Sequence, residues 1–314
     1  MKVIDLFAGC GGLSLGFENA GFQIVAAYDS WETAINIYRQ NFKHKIYQID
    51  LSKSDLDCKI FTQFNPDLII GGPPCQDFSS AGKRDENLGR GDLTLAFANI
   101  ITQVIPKFFV MENVAQFKNT NKYQVTKKIF TQAGYGLTET ILDASLCGVP
   151  QKRKRFFWLG IYQEKDNLLA PYLAANLAQK PMTVREYLGD KLKLNYYYRH
   201  PRSYQRRAIF SIDEPSPTIR GVNRPIPKTY QNHPGDAAPL SPDIRPLTTI
   251  ERSYLQTFPE TFIFEGSKTN LEQIIGNAGP VKQAEYVANC LIQYIEKGQN
   301  NKTIAKKELI RTII

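Results

Sequence analysis

The chain has 314 residues, 42% of them hydrophobic, and its 39 Lys and Arg against 30 Asp and Glu give a formal net charge of +9. That length suits one large or two medium domains at about 100–200 residues each, with ample material for a core. No apolar run approaches the ~20 residues of a membrane span, and five scattered cysteines without a CxxC spacing, beside three histidines, argue against a disulfide framework or a zinc site.

The first residues, Met1-Lys2-Val3-Ile4-Asp5, read as entry into a strand rather than as a signal peptide, and the scattered thiols fit a reducing, cytoplasmic setting. Short apolar runs follow at 3–7, 23–28, 45–49, 68–70, 108–111, 137–142 and 155–161. Helical periodicity lies between several of them, as at 93–105 and at 123–133, the latter closed by Gly134. Such alternation predicts an α/β fold with a doubly wound, mostly parallel sheet. After about residue 170 the character changes. Residues 195–250 are rich in Pro, Arg and Tyr and predict a smaller, loop-rich domain, and helical spacing returns at 280–297 before a basic tail. The expected division is 1–175 with 270–314 as one domain and 176–269 as the other. Between Lys180 and Arg245 stand 12 Lys and Arg against 6 Asp and Glu, so +6 of the +9 falls there. A solvated basic face or a groove for a polyanion would both account for it.

The polar features fall at one edge of the predicted sheet. Gly9, Asp29, Asp50, Cys75 and Glu112 are each expected just beyond the C-terminal end of one of the first five strands, where open α/β sheets bind ligands. Phe7-Ala8-Gly9-Cys10-Gly11-Gly12 is a glycine-rich turn that lets backbone approach a ligand without Cβ obstruction. Asp29 can hold ribose hydroxyls and Asp50 an adenine amino group, which leaves a dinucleotide or S-adenosylmethionine open. Cys75 sits in Gly71-Gly72-Pro73-Pro74-Cys75-Gln76, a rigid turn directly after an apolar strand. A buried structural cysteine does not need that scaffold, and hydride transfer has no use for the nucleophile. Glu112-Asn113-Val114 adds a carboxyl group able to protonate a ring nitrogen, and in 151–155 the alternate members Arg153 and Arg155 are expected on one side of an extended segment. Singly, each has an ordinary structural explanation, such as a tight turn, a strand-end cap or a solvated basic turn. Together they point to chemistry on a heterocycle.

With those residues in place the chain resembles a DNA (cytosine-5) methyltransferase of the bacterial restriction–modification type. The resemblance rests on Phe7–Gly12, Asp29, Asp50-Leu51, Pro74-Cys75-Gln76, Arg90-Gly91-Asp92-Leu93, Glu112-Asn113-Val114, Gln151/Arg153/Arg155 and Gly276-Asn277-Ala278, in the family's order over nearly the whole chain. It implies a Rossmann-like methyltransferase sheet with a small target-recognition domain. It also implies S-adenosylmethionine as cofactor without a metal, duplex DNA as partner, a monomer, and a separate restriction endonuclease. The catalytic residues it implies are Cys75, Glu112, Arg153 and Arg155. The cofactor residues are Phe7, Ala8, Gly9, Gly11, Gly12, Asp29, Ser30, Trp31, Asp50, Leu51, Gly72, Pro74, Leu93, Asn277 and Ala278. For DNA it implies Gln76, Ser79, Lys83 and Arg84 in a loop closing over a flipped base, with Arg206, Arg207, Thr218, Arg220, Asn223 and Arg224 in the basic segment. RNA cytosine methylation, carried out by a related type with similar motifs, is the alternative within catalysis. Three departures stand out. Ser30, not an aromatic residue, follows the ribose acid, with Trp31 next; Gly279 precedes Pro280 where valine is common; and Ile250-Glu251-Arg252 replaces the usual Arg-Glu pair before Gln256, which leaves the small domain's anchoring open.

Overall fold

A computed structural model describes residues 1–53, 55–74, 92–203 and 205–313, with side chains through Gly298. The chain runs β1 (Lys2–Leu6), α1 (Gly12–Asn19), β2 (Gln23–Asp29), α2 (Glu32–Asn41), β3 (Lys45–Gln48), α3 (Lys59–Thr62) and β4 (Leu68–Gly71). It continues through α4 (Leu93–Val104), β5 (Phe108–Val114), α5 (Asn121–Gln132), β6 (Tyr135–Asp143), β7 (Gln151–Lys152) and β8 (Lys154–Tyr162). The seven apolar runs are thus seven strands, and the two-residue β7 is the addition. Helix starts follow side-chain caps: Asp92 accepts the Thr94 N–H before α4, and Thr120 accepts the Tyr123 N–H before α5. Gly134, just past α5, has φ 89°, the left-handed conformation that ends many helices.

The seven strands form one sheet in the order β3-β2-β1-β4-β5-β8-β6. β8 runs antiparallel to both its neighbours, and the other pairings are parallel. The chain winds outward from β1 to β3 and then returns to β4 on the other side of β1. The gap between the ends of β1 and β4 is therefore the topological switch point at which such sheets bind ligands. Successive residues alternate faces: Val3, Leu68, Ile70, Phe108 and Val110 lie in one core, and Ile4, Ile69, Phe109 and Met111 in the other. Helices cover both faces, so the central strands β4, β5 and β8 carry no polar side over most of their length and read as near-continuous apolar runs. Phe97 and Ile101 of α4 and Phe130 of α5 close one face. Phe17 of α1 packs over the other with the residues of the C-terminal helix described below.

α6 (Ala170–Ala175) still packs on the sheet unit, with Leu173 in the core under α1; the small, basic part that follows contains α7 (Val184–Leu188), an antiparallel hairpin of β9 (Tyr196–Tyr198) and β10 (Ile209–Ser211), β11 (Ser216–Pro217) and α8 (Thr249–Leu255). Its core gathers Val184, Leu192, Tyr197, Phe210, Ile219, Leu247 and Leu255. The parallel pairing of β11 with β7 ties it to the sheet. Phe258 and Phe262, which the expected division assigns to this part, instead pack with Ala27, Ile35 and Tyr38 of the sheet unit. The chain closes with α9 (Lys268–Asn277) and α10 (Val281–Ile313), whose Ala284 and Val287 join the core under α1. The basic tail thus continues α10 as helix. A Cβ on Gly16 would lie 2.5 Å from Ala284 Cβ and 2.6 Å from the Val281 carbonyl, so α1 and α10 touch almost backbone to backbone. Among the described residues no helix is long and apolar enough to cross a membrane.

Candidate active site

The ends of β1 and β2 form the first wall of the site. Phe7, Gly9 and Gly11 have φ of 58°, 56° and 95°, and at Phe7 a non-glycine residue holds the left-handed conformation at a cost of about 1–2 kcal/mol. Asp29, the last residue of β2, fixes this turn: its Oδ2 accepts the Gly9 N–H at 2.8 Å and its Oδ1 the Trp31 N–H at 2.8 Å. Burial raises the Asp29 carboxyl above its ordinary range, and the Trp31, Gly9 and Ser30 N–H groups oppose the rise. Each oxygen keeps a lone pair for a ligand hydroxyl. A Cβ on Gly9 would meet nothing within 4 Å, so the loop borders open space. On its other side the loop is tight, since a Cβ on Gly12 would lie 2.3 Å from the Gly279 carbonyl. Gly12→Ala is therefore expected to cost about 1–3 kcal/mol by overpacking and to weaken cofactor binding, which thermal melting and a titration with S-adenosylhomocysteine would check.

Asp50 lies two residues past β3, where its Oδ1 accepts the Ser52 N–H at 3.0 Å and hydroxyl at 2.7 Å. Leu51, beside it, has its side chain 3% exposed in the core with Tyr28 and Phe61, which leaves its backbone for the site. Ser30 is exposed and Trp31 half-buried at the N-cap of α2. Leu93 opens α4, half-buried. Asn277, exposed, ends α9, and Ala278 follows it.

The ends of β4, β5 and β8 form the second wall. Glu112 lies inside β5 rather than beyond it, because β5 runs past the end of β4 and pairs there with β8 alone. In that register Glu112 stands opposite Phe157 and Val114 opposite Arg155, so Glu112 and Arg155 are diagonal neighbours on one face. Their side chains meet at 2.8 Å from Arg155 Nε to Glu112 Oε1, both 16% exposed. Burial lowers the Arg155 guanidinium and the Glu112 charge opposes the fall, so the pair remains a charge-assisted contact. A Cβ on Gly72 would lie 3.3 Å from Glu112 Oε2, which puts the turn after β4 directly against the carboxylate. Asn113, buried, donates to the Pro73 carbonyl at 3.3 Å and accepts the Val114 N–H at 2.8 Å. It anchors the turn that leads, through exposed Pro74, toward Cys75. Cys75, Gln76, Ser79, Lys83 and Arg84 lie outside the described residues.

Arg153 is a correction. It does not join Arg155 at Glu112. Its NH1 donates to the Ile219 carbonyl at 3.0 Å, and its NH2 to the carbonyls of Gly276 at 3.1 Å and Ala278 at 3.2 Å. Arg153 stands at the break between β7, which ends at Lys152, and β8, which starts at Lys154; it lies close enough to feel the charges of Arg155 and Glu112, but its own donors are spent on these three carbonyls. Gln151, fully buried, completes the knot: its Nε2 donates to the Leu255 carbonyl at 3.0 Å and to Gln256 Oε1 at 2.8 Å, and its Oε1 accepts the Ile219 N–H at 2.9 Å. Gln256 Nε2 reaches the Ile275 carbonyl at 2.6 Å. Three chain segments, from the sheet, the small part and the returning α9, are joined here. The open question of anchoring is answered next to it, where Arg252 pairs with Glu272 and donates to the Arg220 carbonyl.

The basic segment divides. Arg206 and Arg224 are exposed, and Arg206 lines an open pocket of about 320 Å³ with Tyr230, Gln231 and His233. The other four candidates have partners within the protein. Arg207 pairs with Glu214, Thr218 Oγ1 donates to the Lys152 carbonyl at 2.7 Å, Arg220 donates to the His200 carbonyl, and Asn223 donates to the Leu247 carbonyl at 2.8 Å. Asn113, Gln151 and Gln256 escaped a role in the sequence reading. The signal available was a polar residue flanked by buried apolar ones, as in Val149-Pro150-Gln151.

Residues 1–293 match the family described as C-5 cytosine-specific DNA methylase. The chain is 59% identical to the Type II methyltransferase M.HindV of Haemophilus influenzae over 94% of its own length and 97% of that protein. It is 55% identical to the Type II methyltransferase M.HgiDI of Herpetosiphon aurantiacus over 95% of its own length and 96% of that protein. Among solved structures, the Dnmt2 methyltransferase of S. pombe superposes with a TM-score of 0.68 at 20% identity, covering 94% of this chain and 99% of that one. A putative DNA modification methyltransferase encoded within an E. coli prophage gives 0.66 at 23%, covering 94% and 99%; both are likenesses of fold. The sheet order, the site at its switch point and these relatives lead to one conclusion: the chain belongs to the C-5 cytosine-specific DNA methylase family and is a DNA (cytosine-5) methyltransferase with the Rossmann-like methyltransferase fold.

Proposed function

We propose that the chain methylates C5 of a cytosine flipped out of a specific duplex sequence, as the modification enzyme of a Type II restriction–modification system. Residues 1–175 with 270–314 carry catalysis, and 176–269 form the target-recognition unit, with its last stretch from Phe258 laid back on the sheet. The Glu112–Arg155 pair carries this reading, because it places a carboxyl group and a guanidinium side by side against the turn that leads to Cys75.

The residues at the switch point fit S-adenosylmethionine. Gly9 borders open space, Asp29 presents oxygens toward it, and both are locked by the same hydrogen bond. Phe7, Ala8, Gly9, Gly11 and Gly12 would line one side of the cofactor. Asp29 would hold its ribose with Ser30 and Trp31 beside it, and Asp50 with the Leu51 backbone its adenine. Gly72, Pro74, Leu93, Asn277 and Ala278 would close the remainder. When bound, the cofactor supplies an electrophilic methyl group.

Cytosine C5 is too weak a nucleophile to take that group unaided. Addition of the Cys75 thiolate to C6 makes C5 enamine-like, Glu112, once it has taken up a proton, shares that proton with N3 as charge develops there, Arg155 holds O2 while keeping Glu112 in place, and C5 then takes the methyl group. Loss of the C5 proton then expels Cys75. Arg153 acts on this chemistry only through position, by holding Ala278 and the returning segment. The base reaches the site by leaving the helix stack, at a cost of a few kcal/mol. Gln76, Ser79, Lys83 and Arg84 would close over it, while Arg206 and Arg224 face the duplex. Arg207, Thr218, Arg220 and Asn223 support that surface from within. The enzyme acts as a monomer in the bacterial cytoplasm, alongside its nuclease without a stable complex.

The test is transfer of a tritiated methyl group to duplex DNA and to tRNA in parallel, with bisulfite sequencing of a methylated plasmid. The expected result is 5-methylcytosine at one recurring sequence in DNA and no transfer to tRNA. Transfer to tRNA alone would replace this reading with RNA methylation.

A further inference from the structure

Beneath the glycine loop lies a row of five polar side chains that the chemistry above does not use. Ser14, in the first turn of α1, donates to Asp5 Oδ2 at 2.6 Å. Its Oγ is 2.7 Å from Tyr38 Oη, which is 2.6 Å from His44 Nε2. His44 Nδ1 is 3.1 Å from Glu18 Oε1, and at this end the row reaches the surface, with Glu18 35% exposed. Asp5 is fully buried, and its second oxygen has no partner. The Tyr38 ring stacks on Phe42 with centroids 4.2 Å apart. A Cβ on Gly11 would fall 2.3 Å from the Phe42 ring and 3.0 Å from that of Tyr38. The cofactor loop therefore rests directly on this row.

Four contacts join the five side chains, and each needs one proton. With Asp5 ionised and His44 an imidazolium, every donor is in place: His44 to Glu18, His44 to Tyr38, Tyr38 to Ser14, Ser14 to Asp5. Moving one proton from His44 to Asp5 reverses the three inner bonds and again fills all four contacts, with Asp5 donating to Ser14, Ser14 to Tyr38 and Tyr38 to His44. Removing that proton altogether leaves three protons for four contacts, so two lone pairs must face each other somewhere in the row.

We propose that Asp5, Ser14, Tyr38 and His44 are positioning residues for the cofactor loop, and that one proton shared along this row holds the loop in the form that binds S-adenosylmethionine. The inference rests on the loop being the cofactor site. Burial pushes the Asp5 carboxyl up to about 7, opposed by the Ser14 hydrogen bond and aided by the charge of Asp29 on β2. The other titratable groups facing the row are Cys10 of the loop, lifted to about 12 by burial, and Glu18. A group whose folded pKa is raised keeps its proton below that pKa and loses it as pH rises through it. Cofactor affinity should thus fall as pH rises above about 7, by up to about tenfold per unit for a single linked proton, and binding above that pH should take up a proton.

The test is calorimetric titration of the full chain with S-adenosylhomocysteine, without DNA, across pH 6 to 8.5 in buffers of differing ionisation enthalpy. Tyr38→Phe keeps the ring under Gly11 but interrupts the row, and His44→Gln keeps a polar end with a fixed complement of protons. Wild type is expected to lose affinity with rising pH and take up protons, and both variants are expected to lose that dependence. The difference between proteins cancels any titration of the ligand itself. If Tyr38→Phe melts below the titration temperature, His44→Gln decides. Variants with the wild-type pH profile and proton uptake, or a wild type with neither, would overturn the inference. A wild type that binds no S-adenosylhomocysteine at any pH would instead overturn the cofactor assignment.

Discussion

Cys75→Ser is expected to reduce methyl transfer by at least about a thousandfold while leaving duplex DNA binding within a few-fold of wild type. A hydroxyl is far less ionised than a thiol near neutral pH and far less nucleophilic toward C6. Removing the nucleophile from a unit of cooperating groups forfeits most of what the others contribute, so losses on the order of 10³ to 10⁶ are normal. The turn itself should persist, because Asn113 anchors Pro73 from outside the cysteine. Filter binding and methyl-transfer assays on the same preparation separate the two effects.

The second large effect is on stability and concerns Arg153. Arg153→Met would leave the carbonyls of Ile219 and Gly276 without this donor in the interior, while that of Ala278 keeps the Gln256 amide at 3.0 Å. Each orphaned buried acceptor costs about 1–3 kcal/mol, so a loss of about 2 kcal/mol or more is expected. That corresponds to a fall in Tm of roughly 4–8 °C for a chain of this size. Arg155→Met should behave oppositely, with a larger loss of activity and a smaller loss of Tm, because its one charged partner is Glu112 at the rim of the site. Melting curves and initial rates for the two variants check the contrast. Equal losses in both would return Arg153 to the catalytic group.

That contrast also marks where sequence reading stops. The apolar runs gave the seven strands because the central strands are buried on both faces, and the glycine loop, Asp29 at the end of β2 and Asp50 after β3 fell into register with them. That Glu112 and Arg155 lie at one edge of the sheet was legible from the runs around them, whereas their contact follows from the β5–β8 register. The partners of Arg153 were not legible, since the carbonyls it holds lie 66, 123 and 125 residues further along the chain. The surroundings of Leu51, Arg207 and Asn223 were not legible either, because packing and side-chain partners brought together by the fold decide them. Arg252 shows the same thing in reverse. Its neighbours depart from the usual pattern, yet its anchor is supplied by Glu272 on a different helix. The row from Asp5 to Glu18 was invisible because its five members come from β1, α1, α2 and the turn before β3, and only the fold lines them up.

Catalysis as proposed depends on attack by Cys75 at C6 of a flipped cytosine. Incubating the enzyme and S-adenosylmethionine with duplex DNA carrying 5-fluorocytosine at the methylated position tests it most directly, because fluorine cannot leave as the proton does and the covalent adduct persists. The account predicts a band resistant to denaturation that contains both protein and DNA and is absent with Cys75→Ser. An active enzyme that forms no such adduct, or an adduct that survives Cys75→Ser, would contradict it.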